Sequence, residues 1–431
     1  DESLQALRIP VHQGFSVKNL PNTADLVVYS AAYNPEIHEE LKEIVRRGWP
    51  LEVYTQALGD FSAAAWSAGV AGVHGKTTTT SLCGMILRSL EMPFSLVVGS
   101  TVPAFGGQGV LTLGKEFFVA ETCEYRRHFL TFHPQAILVT SIEADHLDYF
   151  KDGEDVFQAF LEYAHRLPEG GTLVYCADDS GAQRLAVEVA HQRPDILLIP
   201  YGFQAEGDYK IVKSFHTSGY NHFYLDGFFP EFTLQVPGKH NVVNAAGALA
   251  LSMVMYMSWG KEVDSIALVH MAEALGQFTG SKRRSEILGE TKGVLFMDDY
   301  AHHPTAIETT LQGFREFWPQ RRLVVSFMSH TYSRTKALLK EFSTSFGAAD
   351  LVIFHEIYAS AREAFDPEIT GEIFYEETKK HHKNVKYFPD FSTSGKQICE
   401  LLRPGDLFVT MGAGDNWKLG LELRSLWEGK I

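Results

Sequence analysis

Short runs of β-branched and aromatic residues alternate along the chain with longer stretches whose apolar positions recur three and four residues apart. The short runs predict strands at 26–29, 117–120, 136–140, 172–175, 294–298, 323–327, 351–354 and 407–410. Between them, 155–166 and 335–346 carry the helical period. Alternation of this kind predicts an α/β chain with largely parallel sheets. No internal repeat or low-complexity tract interrupts it.

Turn-forming residues divide the chain twice. Leu58-Gly59-Asp60 precedes the first glycine loop, and Phe278-Thr279-Gly280-Ser281 separates a helical stretch from basic residues. The expected units are a short N-terminal piece (1–58), a central domain (59–279) and a C-terminal domain (280–431), the last two of ordinary domain size. The longest apolar runs, such as 63–73, fall short of the roughly 18–20 residues of a membrane span. No signal-peptide pattern opens the chain, so neither a membrane nor export is expected.

Composition narrows the partners. Hydrophobic residues make up 45% and charged residues 21% of the 431, as in a globular protein with true cores. Cys83, Cys123, Cys176 and Cys399 are scattered without a CxxC pair. That argues against a disulfide framework or zinc site and fits a reducing, cytoplasmic compartment. A net charge of -15 disfavours nucleic acid, so any polyphosphate must meet locally concentrated positive charge.

That charge has a location. Gly72-Val73-His74-Gly75-Lys76-Thr77-Thr78-Thr79-Thr80 follows a small apolar run and leads into a helical pattern at 81–90. A strand–glycine loop–helix unit points backbone N–H groups and a helix N-terminus at one anion. Lys76 is expected to reach terminal phosphates and the Thr77 hydroxyl to coordinate Mg²⁺. The motif is a shortened phosphate loop, because Val70 stands where the standard pattern has its first glycine.

Acidic and imidazole groups follow later strands. Glu121 lies just past the run at 117–120, and Glu143-Ala144-Asp145-His146 follows the run ending at Thr140. In an open parallel sheet, ligands gather at the carboxyl ends of strands. These groups are reasonable partners for a phosphate-bound cation, although histidine is unusual for Mg²⁺. Gly238-Lys239-His240-Asn241-Val242-Val243-Asn244 opens an alanine-rich helix. An asparagine amide there can donate and accept at once, as an adenine edge requires. By itself the segment reads as a capped helix with a small-residue face.

Three further clusters lie in the C-terminal half. Asp298-Asp299-Tyr300-Ala301-His302-His303-Pro304 follows a strand, and His330-Thr331-Tyr332-Ser333-Arg334-Thr335 follows another. Lys282-Arg283-Arg284 supplies cations suited to carboxylate and phosphate. Gly412-Ala413-Gly414 begins like a dinucleotide fingerprint, but Trp417 occupies the third glycine position, so no nicotinamide site is expected.

Taken in order, GVHGKTTTT, Glu121, SIEADHLD, GKHNVVNAA and DDYAHHP resemble the Mur ligases almost end to end. FTGSKRR, DDYAHHPT, HTYSRT, EIYASARE and MGAGD resemble the branch that joins L-alanine to UDP-N-acetylmuramate. The resemblance implies an α/β, three-domain architecture: an N-terminal UDP-binding domain, a P-loop-type central ATPase domain and a Rossmann-like C-terminal domain. The N-terminal domain is expected to be incomplete, with Ser30 as a substrate contact. ATP would phosphorylate the substrate carboxylate, and the amine of L-alanine would attack the acyl phosphate to form the amide. Peptidoglycan precursor synthesis is the implied setting, with a monomer or homodimer as the implied assembly.

The family's pattern also implies residue roles. Gly72, His74, Gly75, Lys76, Thr77, Thr78, His240, Asn241, Asn244 and Asp299 would hold ATP. Thr77, Glu121 and His146 would bind Mg²⁺ or Mn²⁺, with His146 at a second ion. Tyr300, His302, His330 and Arg334 would hold the amino acid, and Arg283 or Arg284 would approach the phosphates. Lys76, His146, Arg283, Arg284 and His302 form the implied catalytic set. Two departures stand out: Cys123-Glu124-Tyr125-Arg126 replaces an acidic stretch, and Ser141 replaces an asparagine. The alternatives are a ligase of cell-wall recycling that attaches a tripeptide to the same nucleotide, and a nucleotide-driven switch without ligase activity.

Overall fold

After Trp66, the strand Trp66–Ala71 is made of small, mostly apolar residues and is buried from Ser67 onward. A run that is apolar on both faces suits the interior of a parallel sheet covered on both sides. It occupies that place in the computed structural model, which describes residues 4, 7–146, 149–217, 219–359 and 363–429. Leu147 and Asp148 of SIEADHLD, and Ser360 to Arg362 of EIYASARE, lie outside the described residues.

Seven strands form the central sheet, in the order Gln108–Thr112, Phe94–Val102, Phe117–Glu121, Trp66–Ala71, Ala136–Val139, Thr172–Cys176 and Leu197–Tyr201. All neighbours are parallel except the Gln108–Thr112 edge. Helix Lys76–Ser89 is buried from Thr77 to Leu87 and packs against helix Lys239–Ser258. The latter is long and apolar enough to cross a bilayer, a length that the run-by-run reading missed. In the folded chain 78% of its apolar window is buried, as befits a core helix. An antiparallel meander, Ile211–Thr217, Tyr220–Leu225 and Phe228–Leu234, adjoins it. None of these three strands was legible from the runs.

The C-terminal sheet has the order Glu286–Thr291, Val294–Asp299, Asp406–Gly412, Arg322–Met328, Leu351–Phe354 and Val385–Tyr387. Only its first pair is antiparallel. Separate apolar clusters lie against it, one including Phe327, Phe342 and Phe354 and the other Phe296, Leu419 and Trp427. The last strand inserts between Val294–Asp299 and Arg322–Met328, so the loops leaving those two strands open beside one crevice. Near the N-terminus, Val27–Tyr29 pairs in parallel with Leu51–Val53, and helix Glu39–Arg47 follows the first strand.

Two sequence expectations change. Leu58-Gly59-Asp60 lies inside helix Tyr54–Ala63 rather than in a connecting turn. Gly59 is there for close packing, since a Cβ would collide with the Thr131 carbonyl. The helix expected at 335–346 is two short ones, Tyr332–Ala337 and Leu339–Thr344, broken at Leu338 (φ −115°, ψ 21°). The Phe278–Ser281 junction does fall between elements, after helix Ser265–Gly276.

Candidate active site between the central and C-terminal domains

Strand Trp66–Ala71 passes through four residues into helix Lys76–Ser89, and this tight turn is the glycine loop expected to meet phosphate. Gly75 caps the helix at φ 80°, and a Cβ there would lie 2.5 Å from Asn244 Oδ1. Glycine alone meets both demands. The Val73 N–H donates to the Ser141 carbonyl and the His74 N–H to Ser141 Oγ, each at 3.0 Å. Ser141 therefore braces the loop from the neighbouring strand end.

Lys76 Nζ donates to the Gly72 carbonyl and to Glu124 Oε2 at 3.0 Å. Burial disfavours the ammonium, but Glu124, Cys123 and Glu121 outweigh that and push Lys76 upward. Glu124 itself is almost fully enclosed; burial would raise its carboxyl, yet Lys76 and His146 hold it below the usual range. Its Oε1 lies 3.6 Å from His146 Nε2. Thr77 Oγ1 lies 3.0 Å from Glu121 Oε2, which also accepts the Gly99 N–H at 2.8 Å. Bonds of about 2.1 Å in an octahedral site place adjacent ligands about 3.0 Å apart. The Thr77–Glu121 pair thus has the spacing of two adjacent oxygen ligands.

A cavity of about 990 Å³ spreads from this loop to the C-terminal domain. His74, Gly75, Lys76, Thr77, Thr78, Glu121 and His146 line one wall; His240, Asn241, Asn244 and Asp299 line another; and Arg284, Tyr300, His302, His330 and Arg334 close it. Gly72, the first residue of the loop, does not line the cavity, and its carbonyl accepts from Lys76 Nζ. Arg334 Nη2 reaches across the seam to Asp145 Oδ1 at 2.7 Å, and its Nη1 meets His330 Nδ1 at 3.3 Å. Burial works against the Asp145 carboxylate, but the Arg334 guanidinium leads the groups that hold its pKa well below the ordinary range. Burial, then Arg334, pushes His302 far down, which keeps it neutral. Its Nδ1 is 2.8 Å from the Tyr300 carbonyl and must carry the proton, leaving Nε2 as the acceptor.

Several expected contacts are already in use within the protein. Asn241 Nδ2 donates to the Pro237 carbonyl at 2.7 Å, and Asn241 Oδ1 accepts from Asn244 at 3.3 Å. Each amide group keeps one further hydrogen-bonding position for a ligand. Asp299 accepts from the Ser285 and Ala301 N–H groups at 2.7 and 2.8 Å, and burial raises its carboxyl. Burial, with His74 nearby, pushes His240 down to about 4.

The structure separates the two candidate arginines. Arg284 faces the cavity and lies 5.2 Å from the Tyr300 ring centroid. Arg283 does not line the cavity: it donates to Asp298 at 2.9 Å and to the Gly412 and Gly414 carbonyls at 2.7 and 3.1 Å. Those bonds tie it to the end of strand Asp406–Gly412, so its expected approach to phosphates is not the arrangement found. Ser30 ends strand Val27–Tyr29 in an exposed turn, away from this cavity. Sequence reasoning missed Glu124 as a partner of Lys76, and Asp145 as the anchor of Arg334. Both were visible as acids beside strand ends, but only folding shows which cation each one meets.

Two family models cover this architecture: the Mur ligase middle domain matches residues 70–252, and the Mur ligase glutamate ligase domain matches 283–414. A UDP-N-acetylmuramate–L-alanine ligase of Treponema pallidum is 49% identical over 431 residues, all of this chain and 90% of that protein. The chain belongs to the Mur ligase family. A second relative of that name, from Desulfitobacterium hafniense, is 40% identical over 98% of this chain and 90% of its own. The fold is shared with a solved UDP-N-acetylmuramate–alanine ligase of Thermotoga maritima (TM-score 0.78, 22% identity, covering 100% of this chain and 91% of that one). It is shared too with a Thermotoga maritima MurF ligase in complex with ADP (TM-score 0.68, 16% identity, covering 95% and 96%). The Mur ligase cavity described here thus lies where the middle-domain and C-terminal family segments meet.

Proposed function

We propose that this Mur ligase joins L-alanine to the carboxylate of UDP-N-acetylmuramate at the expense of ATP, releasing ADP and phosphate, as a step in peptidoglycan precursor synthesis. The observation that carries the reading is one continuous cavity with the phosphate loop on one wall and Tyr300, His302, His330 and Arg334 on the other. The relatives' shared name and their coverage of nearly the whole chain agree with it.

A carboxylate resists attack by an amine until it acquires a leaving group, which phosphoryl transfer from ATP provides. In this reading the loop N–H groups and Lys76 hold the phosphates, and Arg284 adds positive charge from the C-terminal domain. Thr77 and Glu121 offer oxygen donors for Mg²⁺ or Mn²⁺, which when bound supplies charge against the terminal phosphates. His146, beside Glu124, is the candidate donor for a second ion. His240, Asn241 and Asn244 border the space for adenine, and Asp299 borders the ribose. Tyr300, His330 and Arg334 orient the amino acid. The amino group attacks in its uncharged form, and neutral His302 can accept at Nε2 the proton that the nitrogen sheds as the C–N bond forms and phosphate leaves. Closure of the two domains excludes water from the acyl phosphate.

The test is phosphate release from ATP with Mg²⁺, with UDP-N-acetylmuramate and L-alanine each added or withheld. Release is expected only with both, and is expected to collapse in Lys76→Ala. Release indifferent to L-alanine, or obtained only with a peptide, would overturn the assignment.

A further inference from the structure

The side chains of one cluster at the domain seam carry no step of the reaction set out above. His74 Nε2 lies 3.8 Å from Glu143 Oε2, and His303 Nδ1 lies 3.9 Å from the same oxygen. The two imidazole centroids are 5.2 Å apart, and one ligand atom from each of the three residues lies within 4.8 Å of the others. His303 is only 7% exposed, and among the described residues neither of its buried ring nitrogens has a hydrogen-bond partner, nor does buried His74 Nε2. Orphaned buried nitrogens are costly unless something fills them. Thr305 Oγ1 donates to Glu143 Oε2 at 3.1 Å and steadies the carboxylate from outside the cluster.

The donor chemistry is specific. Burial disfavours a charged His303, so it offers a neutral lone pair. Glu143, whose Oε2 accepts from Thr305 Oγ1, offers a carboxylate oxygen. Two imidazoles and one carboxylate suit zinc and its first-row neighbours, whereas Mg²⁺ prefers oxygen throughout. Zinc bonds of about 2.0–2.1 Å in a tetrahedral site place donors about 3.3 Å apart. The 3.8 and 3.9 Å pairs therefore need to contract by roughly half an ångström and the imidazole pair, within 4.8 Å, by up to about 1.5 Å, which side-chain rotation supplies. The three residues come from the phosphate loop, the loop after strand Ala136–Val139, and the N-cap of helix Pro304–Phe317 in the C-terminal domain.

We propose that His74, Glu143 and His303 form a site for a zinc-class divalent cation, separate from Thr77 and Glu121, and that its occupancy clamps the phosphate loop to the C-terminal domain and slows turnover. A bound ion would join the two domains through three protein ligands and leave a fourth position to water. Opening for substrate entry and product release would then require breaking a metal–ligand bond.

The test uses the full chain with Co²⁺ as the probe and excess Mg²⁺ present. One equivalent of Co²⁺ is expected to give the intense visible absorption of a four-coordinate ion, displaced by Zn²⁺. His303→Gln and Glu143→Gln, each checked for native circular dichroism, should each weaken Co²⁺ binding by at least ~10-fold. Zn²⁺ should inhibit the wild type, and His303→Gln should need at least ~10-fold more for the same inhibition. Absent Co²⁺ absorption, or absorption unchanged in whichever variants fold, overturns the site. Cluster-dependent Co²⁺ binding without Zn²⁺ inhibition overturns the clamp.

Discussion

Replacing Glu124 by Gln tests how the phosphate loop is held before nucleotide arrives. The Lys76–Glu124 pair is 3.0 Å long, with side chains 13% and 2% exposed. At an effective dielectric of about 20, two unit charges at that distance attract by roughly 5–6 kcal/mol. Removing one partner of a buried pair costs about 3–5 kcal/mol, because the other is left uncompensated. Here Gln still accepts a hydrogen bond and Glu121 still faces Lys76, so we expect a loss near ~2–3 kcal/mol. For a domain of about 200 residues, this lowers the unfolding temperature by ~5–10 °C. Nucleotide should reverse the order. In the wild type Lys76 must leave Glu124 to meet phosphate, a cost that the variant does not bear. ATP should therefore bind Glu124→Gln more tightly, by up to ~30-fold if ~2 kcal/mol is recovered. Differential scanning fluorimetry and titration calorimetry read both quantities. If ATP affinity falls together with apo stability, Glu124 does not compete with phosphate for Lys76 and the reasoning fails.

Gly75→Ala should abolish ATP binding while the chain still folds: left-handed backbone costs a non-glycine residue about 1–2 kcal/mol, and the added methyl meets Asn244. Calorimetry with ATP, beside a native circular dichroism spectrum, checks this. Because the Asp145 carboxyl lies below its unfolded value, the Arg334 pair stabilises the fold fully above the unfolded pKa of about 3.9 and weakens as pH falls through the folded value. Asp145→Asn should accordingly lower stability throughout pH 5 to 7 in urea denaturation; no loss in that window refutes the pairing. His355, 2% exposed and pushed down to about 4 by burial, bonds Phe388 O and Ser326 Oγ, each at 2.7 Å. Its neutral form is favoured in the fold, so stability should drop by up to ~3 kcal/mol as pH falls from about 6.5 to 4. His355→Gln should remove that part of the slope in urea denaturation. Arg283→Ala should lower stability by ~2 kcal/mol or more by leaving buried Asp298 short of its cation, whereas Arg284→Ala should mainly slow phosphate release.

The chain's local patterns were enough to determine its α/β class and most strands of its two large sheets, because buried parallel strands must be short apolar runs. They also located the phosphate loop, since a glycine turn between strand and helix is a local solution to binding an anion. Other features depended on contacts between segments far apart in the chain. The meander at 211–234 alternates too weakly to announce itself, and helix Lys239–Ser258 is apolar because a core surrounds it. Gly59 reads as a turn yet sits within a helix, because its missing Cβ admits the Thr131 carbonyl. The site divides along the same line. Lys76, Thr77 and Glu121 were legible from their places at strand ends. Which acid pairs with Lys76, which arginine faces the cavity and which crosses to Asp145 were decided only when the two domains met. A charge's partner is set by distance in space, and the order of residues along a chain does not contain that distance.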